Sequence, residues 1–130
     1  MNVKVTVKLD NEKLNNITKA HIKSLEMTGD ELLGNIKTSQ VVPRNDGTLE
    51  NSGFVDTTGI NWGYIRIIFD TPYARRLYWH PEYNFRRGEG APNPNAQGKW
   101  MDAYINGEKD DFMKNAYSKF LKMNSKGVIK

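Results

Sequence analysis

The chain contains no cysteine. That excludes a disulfide scaffold and a thiolate metal site, and it fits a reducing cytoplasm. No apolar run approaches the ~20 residues that a membrane span needs. The opening stretch MNVKVTVKLD alternates polar and apolar residues instead of building a continuous apolar segment, so no signal peptide is expected. Histidine is scarce, with only His21 and His80. His21 has no second His, Cys or carboxylate cluster at metal-ligand spacing, and it reads as a half-buried packing residue. Gly88-Glu89-Gly90 is not followed by the helix and Lys-Ser/Thr pair of a phosphate-binding loop.

What remains is the material of one ordinary domain over residues 1–130. Hydrophobic residues make up 38%, enough to bury a core at this length. The net charge of +4 is mildly basic. It is compatible with an acidic partner, although a dedicated DNA binder concentrates its charge more strongly.

Val3, Val5, Val7 and Leu9 alternate with polar residues, the period of a strand with one buried face. The period then changes to threes and fours. Leu14, Ile17, His21, Leu25, Thr28, Leu32 and Ile36, widened by Ile22 and Leu33, predict a helix from about Asn11 to Ser39. Gly29 and Gly34 weaken it, with a kink or an early end near Gly34. Val41–Gly53 reads as a loop, with Asn45-Asp46-Gly47 as its turn signal. Ser52–Thr57 and Asn61–Asp70 read as an antiparallel hairpin around Thr58-Gly59. Pro72 ends it. Pro72–Tyr78 predicts a short helix with proline in its first turn. His80-Pro81 closes that helix. Glu82–Gln97 is loop and the expected mobile part, with Pro92, Pro94, Gly88 and Gly90 opposing regular structure. Lys99–Ile105 carries no clear period. Gly107 to about Met123 is helical again, with acidic residues first and lysines last, as the helix dipole favours. The tail Ser125–Lys130 reads as frayed. Strands and helices are segregated, which predicts an α+β fold. Its expected form is an antiparallel sheet of three or four strands on a long N-terminal helix, with a C-terminal helix and a long aromatic loop.

The stretch Thr71–Trp100 concentrates the costly residues. Tyr73, Tyr78, Trp79, Tyr83 and Phe85 are interleaved with Arg75, Arg76, Arg86 and Arg87, and Trp100 closes it. Aromatics of this kind stack on bases while guanidiniums meet phosphates. The same residues supply the anchors of protein–protein interfaces. A third reading is a folded loop whose aromatics cap the sheet. Two enzymatic readings compete with these. His80 and Glu82 have the composition of a general acid/base pair, or else the imidazole fixes the turn before Pro81. Asp56, Asp70 and Glu82 are the carboxylates a metal nuclease would use, without the compact motif that such an enzyme needs.

Three segments carry a resemblance. Val42, Pro43, Gly47, Leu49 and Ser52 form a Val-Pro-x-x-x-Gly-x-Leu-x-x-Ser pattern after the first helix. Tyr73 and Ala74 close the second strand and run into Leu77, Tyr78 and His80-Pro81. Pro94, Ala96, Gly98, Trp100 and Asp102 form a Pro-x-Ala-x-Gly-x-Trp pattern followed by an acidic residue. In this order they resemble the minor capsid or head–tail joining proteins, of tail-completion type, of tailed bacteriophages and prophages of Gram-positive bacteria. The resemblance implies a non-enzymatic structural virion protein at the neck or tail top, with no cofactor. It implies a homo-oligomeric ring in the virion, a monomer in isolation, and synthesis in the bacterial host cytoplasm. Its partners would be other neck, portal-side or tail proteins, with non-specific contact to genomic DNA and none to membrane. On this reading Tyr73, Arg75, Arg76, Tyr78, Trp79, Arg86, Arg87 and Trp100 are assembly or loop-anchoring residues. The alternative is a nucleic-acid-binding module using the same stretch.

Overall fold

The computed structural model describes residues 3–5 and 11–125. The expected strand Val3–Leu9 falls mostly outside them. Val3 and Val5 lie outside regular structure, exposed at 80% and 81%, and Thr6–Asp10 are beyond the described residues, as is the tail after Ser125.

Helix α1 spans Asn11–Thr38 and runs unbroken through both glycines. The expected early end at Gly34 does not occur: the helix continues for one further turn, closed by Ser39 N–H on the Asn35 carbonyl. The buried line is Ala20, Ser24, Thr28, Leu32 and Ile36, spaced by four. It coincides with the expected stripe at Thr28, Leu32 and Ile36 and is rotated from it in the first half of the helix. Leu14 is exposed, and His21 and Leu25 are half-buried. The small residues Ala20 and Ser24 take the inner positions, and the Ser24 and Thr28 hydroxyls donate back to the carbonyls of Ala20 and Ser24. Their polar groups are therefore satisfied inside the helix groove, which permits burial.

Gly47, at φ 88°, turns the chain into a short helix α2, Thr48–Asn51, where a loop is expected. Asp46 Oδ1 accepts the Thr48 N–H at 3.0 Å and starts that turn. Strands β1 (Gly53–Asp56) and β2 (Arg66–Phe69) pair antiparallel, with Gly53 opposite Phe69 and Asp56 opposite Arg66. They are shorter than expected because Ile60–Trp62 form a 3-10 turn in the connection. Among the described residues the sheet has two strands. Gly29 seats the hairpin on α1. A Cβ there would lie 2.5 Å from Ile65 Cδ1 and 2.8 Å from Val55 Cγ1. The glycine that weakens the helix locally is what lets the sheet approach it.

Helix α3 is Ala74–Trp79, and α4 is Phe112–Asn124. The latter begins five residues later than expected. Lys109 N–H reaches the Ala103 carbonyl at 2.9 Å, so Gly107–Asp111 wrap into turns below a 3-10 turn at Asp102–Tyr104. The fold is α+β: a long N-terminal helix, a two-stranded antiparallel sheet and a C-terminal helix. The core gathers Leu32, Ile36, Val42, Leu49, Ala74, Trp100 and Tyr104.

Candidate assembly surface

Trp100 is the centre around which Thr71–Trp100 folds. It is 2% exposed. Its ring meets Tyr78 edge-on at 4.8 Å and Phe69 edge-on at 5.5 Å. Lys99 N–H donates to the Tyr78 carbonyl at 2.8 Å, tying the end of the stretch to α3. Gly98 passes directly over Pro81, whose Cα would lie 2.6 Å from a Cβ at Gly98. Both ends of the stretch are thus closed on each other.

The second half of the aromatic loop is tied down. Asn93 is buried, and its amide donates to the Val42 carbonyl at 2.8 Å and to Glu50 Oε1 at 3.3 Å. Asn95 Nδ2 reaches the Ser39 carbonyl at 3.0 Å, and Gln97 N–H the Val41 carbonyl at 2.9 Å. Ala96 is buried. The expectation of one mobile loop over Glu82–Gln97 therefore needs correcting for Asn93–Gln97. That part hydrogen-bonds the turn that follows α1.

The eight named residues do not form one site. Tyr73 and Arg86 meet across a cavity of about 540 Å³ floored by Leu49 and Leu77, with Phe85 and Arg44 beside them. Arg75, Tyr78, Trp79 and Trp100 line a second cleft with Phe69, Met101 and Ile105. Arg87 sits on a third side, over the Phe85 ring at 5.7 Å and beside Pro94–Gln97. Arg76 is exposed and lines none of these three clefts. Trp79 is 59% exposed with Lys99 Nζ 5.7 Å from its ring centre. Trp100, expected as an assembly or loop-anchoring residue, is buried in the core at the base of that cleft, with almost no exposed surface. Burial and the nearby Asp102 charge raise the Tyr78 hydroxyl pKa above its ordinary value.

His80 and Glu82 do meet, with Nδ1 and Oε1 2.7 Å apart, and Tyr83 stacks on the imidazole at 4.8 Å. The histidine's hydrogen bond holds the Glu82 carboxyl below its ordinary value. The Tyr83 N–H closes a turn on the His80 carbonyl. Asp56 and Asp70 lie toward opposite ends of the hairpin, and the Asp56 carboxylate is engaged by the Thr58 N–H at 3.0 Å. Among the described residues no group of three or more His, Cys, Asp or Glu is placed to hold a metal ion. No helix among them is long and apolar enough to cross a membrane. His21 packs between α1 and α4, its Nδ1 bonded to the Tyr117 hydroxyl.

Two features escape the sequence reading. One is the set of buried Glu50 and Asn93 with half-exposed Arg44, whose Nη1 lies 2.7 Å from Glu50 Oε2. The other is an apolar trough of about 540 Å³ between the hairpin and α4, floored by Leu32 and Ile36. Met101 and Ile105, from the stretch without a clear period, form one of its walls. Neither has a local signature, since each joins segments far apart in the chain. No protein-family model, curated protein or solved structure matches this chain.

Proposed function

We propose that this chain is a structural subunit of a phage neck or tail top, joining head to tail as a component of an oligomeric ring. The observation that carries the reading is the convergence of the three segments on which the resemblance rests. Val42 and Leu49 from the first, Ala74 from the second and Trp100 from the third meet in one buried cluster. The basic and aromatic residues between them are left largely outside. Tyr73, Arg75, Arg76, Trp79, Arg86 and Arg87 are all exposed, a composition that suits protein–protein anchors. A head-to-tail ring needs such surfaces on more than one side of the subunit, and these residues occupy three.

In the assembled state the sheet gains Val3–Leu9 as its third strand. Replacing both Arg75 and Arg76 by Ala leaves the chain folded and yields unjoined heads and tails, scored by electron microscopy of particles. Normal joining would remove these arginines from the proposal.

The second reading, a nucleic-acid-binding module, is favoured by the cavity where Tyr73 and Phe85 lie beside Arg86. It requires DNA retention that falls steeply with salt. Absence of retention at low salt rejects it.

A further inference from the structure

The hairpin presents an open edge. Among the described residues β2 pairs only with β1, and no other backbone hydrogen bond reaches Arg66–Phe69. An isolated two-stranded sheet is marginal in water, and a free strand edge is a template for a further strand. The apolar trough lies beside β2, lined by Ile65 and Ile67. The cleft at Phe69 continues it, because both share Met101 and Ile105. Ile105 is 59% exposed, and Met113 on the α4 side is also exposed.

The chain contains one segment that fits such a place. Val3, Val5, Val7 and Leu9 put four apolar side chains on one face, with Lys4, Thr6 and Lys8 on the other. It cannot run along β2 of its own copy. Ile65 sits at the level of Gly29 on α1. Eighteen residues of helix separate Asn11 from Gly29, about 27 Å at ~1.5 Å per residue. Leu9 lies two residues before Asn11 and reaches at most ~7 Å from it. Even fully extended, only Val3 reaches the level of Gly29, at ~3.4 Å per residue. A strand laid along β2 within one copy would leave Val7 about 13 Å and Leu9 about 20 Å short of the level of Gly29, on the same scale of ~1.5 Å per helical residue.

We infer that the N-terminal segment Val3–Leu9 docks in trans, adding a strand to β2 in the trough of a second copy. Its main chain satisfies the open edge, while its valines and leucine fill the trough beside Ile67 and Met101. This is strand addition, with main-chain bonds giving affinity and alternate side chains giving register. The contact is heterologous, so each copy donates one strand and receives one. The inference rests on the oligomeric part of the function proposed above, and not on the virion role.

The absence of native cysteine makes the test clean. Full-length chain carrying Val5→Cys is mixed with full-length chain carrying Ile105→Cys at high concentration under oxidising conditions. The expected product is a mixed disulfide dimer, several-fold above a control in which Gly88→Cys replaces Ile105→Cys. Adding Val3→Asp and Val7→Asp to the donor abolishes it. The double variant Val5→Cys with Ile105→Cys should give a ladder of linked chains. An internally cross-linked monomer would overturn docking in trans. A mixed dimer no more abundant than the control would overturn docking altogether. Particle joining is scored separately, so either proposal can fail while the other stands.

Discussion

The Asn93 side-chain amide donates to Glu50 Oε1 at 3.3 Å, across 43 residues of chain. The same amide serves the Val42 carbonyl, and Glu50 also holds Arg44. A carboxylate buried to 6% exposure is thereby supplied with a cation on one oxygen and an amide donor on the other. This fixes the loop Asn93–Gln97 to the turn after α1, and with it the far end of the basic–aromatic stretch.

Asn93→Ala removes two donors at once and leaves the buried Glu50 and Val42 oxygens short of partners. The expected cost is about 1–3 kcal/mol, read as a lower urea midpoint. Replacing Glu50 by Gln keeps the shape but removes the charge facing Arg44. It is expected to destabilise as well, because the guanidinium loses its anion in a partly buried place.

Trp79 and Trp100 should separate cleanly in a mutational test. Trp100→Ala opens a cavity under Tyr78 and Phe69 and is expected to cost about 3–5 kcal/mol. Trp100→Phe should cost much less than Ala, since the indole Nε1 has no hydrogen-bond partner to lose. Trp79→Ala should change stability by no more than about 0.5 kcal/mol, as expected for an exposed side chain. Thermal or urea unfolding of the three variants checks the order.

Two glycines should respond in opposite directions to the same substitution. Gly98→Ala drives a methyl into the Pro81 backbone, where only main-chain movement relieves it. We expect a loss of about 1–3 kcal/mol. Gly34→Ala meets no atom within 4 Å on an exposed helix face and should stabilise by about 0.5–1 kcal/mol. Matching effects at the two positions would contradict this packing.

Acid should weaken the turns at Asp46 and Asp56. The Thr48 and Thr58 N–H groups each donate to the aspartate two residues earlier, holding both carboxyls below the ordinary value of 3.8. Arg44 and Arg66 contribute smaller effects of the same sign. A carboxyl whose pKa is lowered by folding stabilises the fold above its unfolded value, and that contribution is lost as pH falls through the folded one. Glu82 adds the same sign from its ordinary value of 4.5, through His80. Urea midpoints should therefore hold through mildly acidic pH and fall from about pH 4 downward. Asp46→Asn together with Asp56→Asn should flatten that fall. An unchanged fall would assign it to other carboxylates.

Much of the fold is legible along the chain. The change of period at Asn11, the hairpin residues Phe54–Asp56 and Ile67–Phe69, and the stripe of Phe112, Ala116 and Phe120 all announce their elements locally. Legibility fails wherever the answer depends on what a surface meets. The periodicity of α1 identifies a helix but not its rotation. Ala20 and Ser24 become the inner residues because α4 crosses there, with Asn124 bonded to Ser24 Oγ at 3.1 Å. The helical turn at Thr48–Asn51 is hidden inside turn-forming residues, and only Gly47 and Asp46 betray its start.

The candidate surface divides in the same way. Sequence alone determined which residues are costly and where they cluster, because residue type and spacing are local facts. It also determined that the first helix is long, because its change of period begins at Asn11 and its apolar spacing runs on to Ile36. Tertiary structure alone decided that Trp100 lies inside and Trp79 outside, that seven of the eight named residues divide among three clefts with Arg76 in none of them, and that Asn93 seals Glu50. Those outcomes follow from contacts between residues tens of positions apart, and no local pattern encodes which apolar face will find which partner.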